Sequence, residues 1–225
     1  MYHSIGILFL LFLSLTGHAA DDWELKKEKK GIRVYTKEFK NSEFRAFKAE
    51  MKVVATLSTL MAVHADVEYV KEWLKDCSES ELLTEFDPKG YYSYFKTDAP
   101  WPVMDRDYTL KSRVEQNPET YELSIHFSAE TGLVPESDDC VRITTLEGVW
   151  RMQPTSNGEV LVTYEVSSDP GGAVPSWLAN NFVVDQPYYS MLRLRERLTD
   201  VKYMNKYFSF VKEPPSKPQI LNNEN

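Results

Sequence analysis

The sequence contains few of the residues from which metal and nucleophilic sites are built. Two cysteines and four histidines occur in 225 residues. Beyond the first 20 residues only His64 and His126 remain, and they are far apart in the chain. No spacing of these residues matches a metal site, and there is no G-x-S-x-G elbow or glycine-rich phosphate loop. The sequence therefore predicts no catalytic residue, no metal and no other cofactor.

An excess of positive charge is also missing. Lys and Arg number 26 against 34 Asp and Glu, so the formal net charge is −8. Nucleic-acid phosphates favour clustered Lys and Arg, which makes an acidic chain a poor partner for them. We therefore expect no nucleic-acid partner and no permanent attachment to an anionic membrane. Internal repeats are absent too, which favours a single domain.

One long apolar run is present, at the N-terminus. Residues 1–20 contain no Asp, Glu, Lys or Arg, and residues 5–15 form an almost unbroken apolar run. This run is shorter than the about 20 residues that a membrane-spanning helix needs, and Gly17 and Ala19 suit cleavage after Ala19. We predict a signal peptide over residues 1–19, and export to the periplasm or secretion. An uncleaved N-terminal anchor is the alternative.

Export would bring both cysteines, Cys77 and Cys140, into an oxidising compartment, where a disulfide is chemically allowed. Bridging requires the two Cα atoms to lie close together, which the sequence does not show. A disulfide and two independent, half-buried thiols are therefore both open.

The pattern of apolar residues predicts one long antiparallel sheet. Residues 32–39 and 42–54 alternate as a β-hairpin. A helix follows, capped by Ser58 or Thr59, with Leu60, Val63, Val67, Val70 and Leu74 on one face. Six more strand-like runs lie between residues 78 and 168, each bounded by turn residues. Residues 130–139 are the predicted flexible loop, and residues 213–225, with three prolines, the predicted disordered tail.

The longest helical pattern comes last, within residues 169–201. It carries an apolar stripe of Tyr188, Met191, Leu194, Leu198 and Val201. A twisted sheet of about eight strands tends to curl, and this helix fits into the curl. The prediction is an α+β helix-grip fold, in which a long curved antiparallel sheet wraps around the C-terminal helix. Pro187 inside the helix predicts either a weak point that opens or a static kink.

Two stretches are similar to a known family. PWPVMDRDY, residues 100–108, resembles the P-W-P-x-x-x-R-D-aromatic signature of the StAR-related lipid transfer (START) domain family. DPGGAVPSWLANNF, residues 169–182, resembles the segment that leads into that family's last helix. Trp73 and Val141-Arg142 are lesser matches in register, so the resemblance covers residues 22–208.

The resemblance implies an internal hydrophobic cavity that holds one lipid. It also implies that the C-terminal helix and an adjoining loop act as its gate. The family's ligands include sterols, glycerophospholipids and ceramides, and the shared motifs select none of them.

Two arginines each have two interpretations. Arg106, between Asp105 and Asp107, either ties the strand entrance to a neighbouring element or reaches a lipid head group. Alternation places Arg142 on one face with Trp150. Arg142 either points into the cavity as a buried anchor or lies on the outer face and pairs with Glu165 or another carboxylate.

The cavity-lining prediction starts from residues 121–127, whose apolar side chains alternate with polar ones, including His126. The same alternation also suits a solid core. The full set of predicted cavity and gate residues is Trp101, Arg106, Tyr121, Leu123, Ile125, Phe127, Arg142, Trp150, Tyr164, Trp177, Asn181 and Phe182.

The function predicted from these observations is that of an exported monomeric carrier that binds one lipid and contacts membranes transiently. The alternative from another class is an enzyme that acts on a small hydrophobic substrate in the same cavity, with carboxylates or Tyr as acid and base. A third hypothesis is a binding module that presents its ligand to a partner protein.

Overall fold

The computed structural model describes residues 22–38, 44–172, 174 and 176–215, and within residues 176–181 it describes the side chain of Leu178 alone. The predicted signal peptide lies outside these residues. The elements in chain order are β1 Glu24–Lys29, β2 Ile32–Glu38, β3 Arg45–Val53, α1 Leu57–Ala65, a 3-10 helix Val67–Glu72, β4 Cys77–Leu82, β5 Tyr91–Thr97, β6 Asp105–Gln116, β7 Leu123–Ala129, β8 Cys140–Arg142, β9 Thr145–Pro154, β10 Val160–Asp169 and α2 Ser176–Arg197.

The strands form one sheet in the order β1-β2-β3-β10-β9-β7-β6-β5-β4, with antiparallel pairing throughout this path. Strand β8 lies off the path and pairs with β6 in parallel. The strands from β4 to β10 form a meander, and the β2–β3 hairpin joins it along β10. The predicted antiparallel sheet and its covering helix, the helix-grip architecture, are therefore confirmed.

Strand β1 was not predicted. Its sequence ELKKEK is exposed at five of six positions and buried at none, because it is an edge strand in which Lys27, the half-buried position, contacts α2. A strand without a buried face has no reason to alternate, so the period-two signal is absent from its sequence.

The helix predicted from residue 58 to Leu74 begins one residue earlier in the structure and ends sooner, at Ala65. Thr56 is its N-cap, and the Thr56 hydroxyl accepts from the Thr59 amide at 3.0 Å. The predicted caps, Ser58 and Thr59, are instead buried inside the first turn. After Ala65 the chain continues as the 3-10 helix, and α1 itself is buried on all sides from Leu57 to His64.

The C-terminal segment holds the start of α1. The carboxylate of Glu213 accepts from the amides of Leu57 at 3.0 Å and Ser58 at 2.8 Å. An anion at a helix N-terminus is stabilised by the unpaired amides there. Glu213, where the predicted disordered tail begins, is therefore tied to the domain, whereas residues 216–225 lie outside the described part.

The stripe of α2 is buried as predicted except at its end. Tyr188, Met191, Leu194 and Leu198 are buried, but Val201 is 83% exposed. The helix ends at Arg197, and a chain that has left the helix no longer places Val201 on the same face. The described residues include no helix that is long and apolar enough to cross a membrane.

The second half of α2 is attached to the hairpin side of the sheet. In this half the Arg195 guanidinium donates to the Lys30 carbonyl at 2.9 Å. Two residues before Pro187, Asp185 accepts from the Lys27 ammonium at 2.7 Å. These contacts fix where the helix lies, and its first half extends across the opening of the curved sheet.

Candidate tunnel between the last helix and the sheet

An apolar space lies inside the curl of the sheet, in two adjoining chambers. The inner chamber has a volume of about 80 Å³. Its wall is formed by α1, the 3-10 helix and the inner face of five strands, through His64, Val67, Val70, Trp73, Leu74, Tyr91, Ser93, Phe95, Tyr108, Leu110, Ser112, Ile125, Phe127, Leu146, Trp150, Tyr164 and Val166.

The outer chamber has a volume of about 180 Å³ and lies beneath α2. The helix contributes Leu178, Phe182, Val183 and Gln186 to its wall. It shares Tyr108, Leu146, Tyr164 and Val166 with the inner chamber, so these four residues form the waist between the two. Together the chambers make a tunnel that runs from α2 to α1.

A surface cleft of about 430 Å³ adjoins the outer chamber. It shares Leu178, Phe182 and Gln186 with that chamber, and its rim carries three carboxylates, Asp76, Asp98 and Asp185. Lys75 forms an ion pair with Asp76 at this rim. Asp185 is paired with Lys27, so two of the three rim carboxylates are paired with lysines, and the walls inside the mouth are mainly apolar.

The waist is made rigid by stacked rings. Tyr164 lies flat against Trp150 with ring centroids 3.7 Å apart, and Phe47 meets the Tyr164 ring edge-on at 5.0 Å. Tyr108 stacks on Phe95 at 5.6 Å. Burial raises the pKa of both the Tyr108 and the Tyr164 phenol, so both hydroxyl groups stay neutral.

Three buried polar atoms along the tunnel have no hydrogen-bond partner among the described residues. Nε2 of His64 and Nε1 of Trp73 lie in the wall of the inner chamber, and Oε1 of Gln186 lies at the outer one. Burial lowers the pKa of His64 to about 4, so its imidazole is neutral at pH 7. The tunnel is therefore apolar with isolated polar groups at both ends.

Arg106 ties the start of β6 to the turn before α2. It donates to the carbonyls of Pro170 at 3.3 Å and Gly171 at 3.2 Å, and also to that of Met104. This is the first of its two predicted roles. The side chain is 7% exposed and borders the outer chamber, so it holds the helix start against the tunnel mouth.

Arg142 lines neither chamber and pairs with a carboxylate other than Glu165, which is part of its second predicted role, although its side chain is only 6% exposed. It forms a two-pronged ion pair with Asp107, with both N–O distances 2.8 Å, and donates to the carbonyls of Val134 and Pro135. The prediction placed Arg142 on one face with Trp150, but the strand breaks after Arg142 and β9 begins at Thr145. Arg142 therefore anchors the 130–139 loop, and Glu165 pairs with Arg151 instead.

The other predicted cavity residues divide into two groups. Ile125, Phe127, Trp150 and Tyr164 line the inner chamber, and Phe182 lines the outer one. Leu123 is buried in the core opposite Met152, away from the chambers. Tyr121 precedes β7 and has a positive φ of 59°, so the alternating face starts only after it.

Trp101 is not in the tunnel. It is 92% exposed in the turn between β5 and β6, beyond the last paired residues of the sheet. Trp177 and Asn181 belong to α2, but their side chains lie outside the described part of the structure.

Several tunnel residues were missed. His64 was assigned only to a helix, and Tyr108 only to the family signature. Tyr91, Ser93 and Phe95 alternate along β5 with the same period as residues 125–127, so their strand pattern could have identified them. Gln186 had no signal in the sequence, since a polar residue on a helix normally faces water.

Cys77 and Cys140 are free thiols in the structure and do not form a disulfide with each other. Cys77 is buried, and burial raises the pKa of its thiol to about 12. No cluster of His, Cys, Asp and Glu that could hold a metal ion occurs among the described residues.

Comparisons with known proteins agree with this architecture. The START domain family profile matches residues 10–189. An uncharacterized protein of Pseudomonas aeruginosa is 34% identical over 190 residues, which is 84% of this chain and 93% of that protein. The phosphatidylcholine transfer protein of Bos taurus is 27% identical, over 70% of this chain and 75% of its own length.

Solved structures give the same result. A STAR-related lipid transfer protein fragment from Xanthomonas axonopodis superposes with a TM-score of 0.74 at 33% identity, covering 80% of this chain and 100% of the fragment. Human STARD10 has the same fold with a TM-score of 0.68 at 20% identity, over 79% of this chain and 73% of its own. The chain therefore belongs to the START domain family.

Proposed function

We propose that this protein binds one lipid in the tunnel and carries it between membranes after export to the periplasm or secretion. The observation that carries the proposal is the apolar two-chamber tunnel covered by α2. The names of related proteins, a phosphatidylcholine transfer protein and a STAR-related lipid transfer protein, support lipid as the class of ligand.

The size of the chambers implies that the tunnel widens when it binds a lipid. Ligand pockets usually have about 300–1,000 Å³, whereas the chambers measure about 80 and 180 Å³. Each methylene group that leaves water for the tunnel contributes about 0.8 kcal/mol. An acyl chain of about ten methylenes would therefore supply about 8 kcal/mol, part of which offsets the widening.

The first half of α2 is less buried than the residues around Pro187, which supports the first half as the part of the helix that moves. The described side chains before Pro187 are only partly buried or exposed, whereas Pro187, Tyr188, Ser190 and Met191 are buried. A proline inside a helix removes one backbone hydrogen bond and weakens the helix at that point. In the proposed mechanism the first half of α2 swings about Pro187, which breaks the ion pair between Asp185 and Lys27, and uncovers the outer chamber.

Exposed apolar side chains near the mouth support transient membrane contact. Trp101 is 92% exposed and Met104 is 45% exposed. Trp101 follows Pro100, which lines both the outer chamber and the surface cleft.

The proposal includes export, from the predicted signal peptide over residues 1–19, and a monomeric state. N-terminal sequencing of the protein made in a bacterial host tests the first, with residue 20 expected as the new N-terminus. Size-exclusion chromatography with light scattering tests the second, with the mass of a single chain expected.

Co-purification tests lipid binding directly. Native mass spectrometry of the purified protein should show the chain with one bound lipid, and organic extraction should identify that lipid. Transfer of a labelled lipid between liposomes then separates a carrier from a module that presents its ligand, because the second binds lipid without transferring it. If no lipid co-purifies and added lipids do not raise the melting temperature, the proposal fails.

No observation favours the enzyme alternative. That hypothesis needs a titratable pair facing the cavity. The titratable side chains that the described structure places in the inner wall are His64 and three tyrosines, and burial keeps them neutral at pH 7. The outer wall adds Asp98, which is exposed, and the cations Arg45 and Arg106 among its described residues.

A further inference from the structure

The inner chamber contains a donor and an acceptor that no described residue satisfies. They are Nε1 of Trp73 and Nε2 of His64, on side chains that are 2% and 6% exposed. Buried polar atoms in proteins are nearly always hydrogen-bonded, because an unmade bond destabilises the folded state. Both residues line the chamber, so a partner for these atoms would come from a molecule inside it.

Backbone geometry determines which nitrogen of His64 carries the proton. Nδ1 lies 2.8 Å from the Leu60 carbonyl oxygen, one turn earlier in α1. A carbonyl can only accept, so Nδ1 is the donor in this bond. In the neutral imidazole Nε2 then has a free lone pair and acts as an acceptor.

Trp73, which directly follows the 3-10 helix, provides the hydrogen-bond donor. Its indole N–H can only donate. The His64 and Trp73 rings are 5.3 Å apart and meet edge to face, and Trp150 contacts both, at 4.8 Å and 5.6 Å. Three rings that pack on one another hold the acceptor and the donor in place before any ligand arrives.

A neutral hydroxyl group matches this pair. It donates one hydrogen bond and accepts another, so one oxygen can satisfy both nitrogens. An ether or ester oxygen can only accept and would leave the His64 lone pair unsatisfied. A charged head group does not suit this end, because the inner wall has no Lys, Arg, Asp or Glu among its described residues and burial of an unpaired charge is costly.

We propose that the inner chamber is a subsite for the hydroxyl group of a neutral lipid, with His64 Nε2 accepting from it and Trp73 Nε1 donating to it. The lipid then enters the tunnel hydroxyl first, and its apolar remainder occupies the waist and the outer chamber. This inference rests on the proposed lipid-binding function and specifies the class of ligand.

Two probes of equal size test the subsite. 1-Decanol carries a hydroxyl, and 1-methoxynonane has the same number of heavy atoms but only an acceptor. Calorimetric titration of the purified protein should give a Kd for 1-decanol at least about tenfold lower than that for 1-methoxynonane. His64→Leu should remove this preference, so that the two probes bind with equal Kd.

The matched control is His126→Leu. His126 lies on the outer face of the sheet beside Glu115, at 3.5 Å, and does not line either chamber. This variant should keep the preference for the alcohol.

A spectroscopic measurement on the unmodified protein covers the case in which His64→Leu does not fold. The ¹⁵N resonance of His64 Nε2 and the Trp73 indole N–H should both shift on addition of 1-decanol, and the Nε2 resonance should not shift with 1-methoxynonane. Equal affinity for the two probes refutes the hydroxyl subsite and leaves lipid binding intact. Failure of both probes to bind, with no lipid co-purifying, refutes both proposals.

Discussion

The ion pair between Arg142 and Asp107 gives the sharpest prediction about stability. Their side chains are 6% and 2% exposed, and two N–O contacts of 2.8 Å join them. Arg142→Met removes the cation and leaves the Asp107 carboxylate buried, with the Tyr94 hydroxyl at 3.4 Å as its other side-chain donor. Removing one partner of a buried pair typically costs about 3–5 kcal/mol, so we expect the free energy of unfolding to fall by that amount.

The 130–139 loop should loosen in the same variant. Arg142 also donates to the carbonyls of Val134 at 3.0 Å and Pro135 at 3.1 Å, and both bonds are lost. Urea unfolding followed by circular dichroism measures the stability, and amide hydrogen exchange measures the loop.

A second pair in the same sheet provides the control. Arg151 and Glu165 are joined at 3.2 Å, but their side chains are 38% and 35% exposed. Exposed pairs contribute about 0–1 kcal/mol, so Arg151→Met should change stability by less than about 1 kcal/mol. The double variant Asp107→Leu with Arg142→Met should be less destabilised than the two single effects added together. Equal losses in Arg142→Met and Arg151→Met would refute the structural role assigned to the buried pair.

Three further predictions concern packing, the gate and pH. Gly148→Ala should lower the free energy of unfolding by several kcal/mol in urea titration, because a Cβ there would lie 2.4 Å from the Phe127 ring and 2.5 Å from the Glu165 carbonyl oxygen; an unchanged midpoint contradicts this. Pro187→Ala should restore a helix hydrogen bond and slow amide exchange in the first half of α2. Lipid transfer between liposomes should then slow by about tenfold per 1.4 kcal/mol of added helix stability. Unchanged transfer argues against a hinge at this residue. The pKa of His64 is about 4 in the folded protein, against 6.5 for the unperturbed group. The stability that comes from keeping this imidazole neutral is therefore complete above pH 6.5 and is lost as the pH falls from 6.5 to 4. Between pH 7 and pH 5 the protein should therefore lose about 2 kcal/mol more than His64→Leu, and parallel losses in the two would contradict the buried neutral imidazole.

The sheet was predictable because most strands have one buried face. The alternation in β7 and β10 is a direct consequence of packing on the core, and the same physics identified the stripe on α2. Strand β1 was not predicted because none of its residues is buried, so nothing in its sequence had to alternate.

The errors at Arg142 and Trp101 have different causes, and the first is that periodicity cannot be carried across a break in a strand. Arg142 was assigned to the face of Trp150, yet residues 143 and 144 interrupt the strand and remove the register between them. Trp101 belongs to a family signature, but a signature does not say which way a ring points, and this ring is exposed.

The polar ends of the tunnel were beyond the reach of sequence reasoning. Whether Nε2 of His64 has a partner depends on the packing of α1 against the 3-10 helix and β9, which join residues distant in the chain. The hydroxyl subsite follows from that tertiary arrangement and from no local pattern.

The most direct test of the central proposal is lipid occupancy in a variant with a blocked tunnel. Leu146 lines both chambers at the waist, so Leu146→Trp should fill the passage between them. Leu161 alternates with the inner residues of β10 and lines neither chamber, which makes Leu161→Trp the matched control. Native mass spectrometry should show one bound lipid in the unmodified protein and in Leu161→Trp, and a bare chain in Leu146→Trp. Equal occupancy in all three proteins would contradict lipid binding in the tunnel.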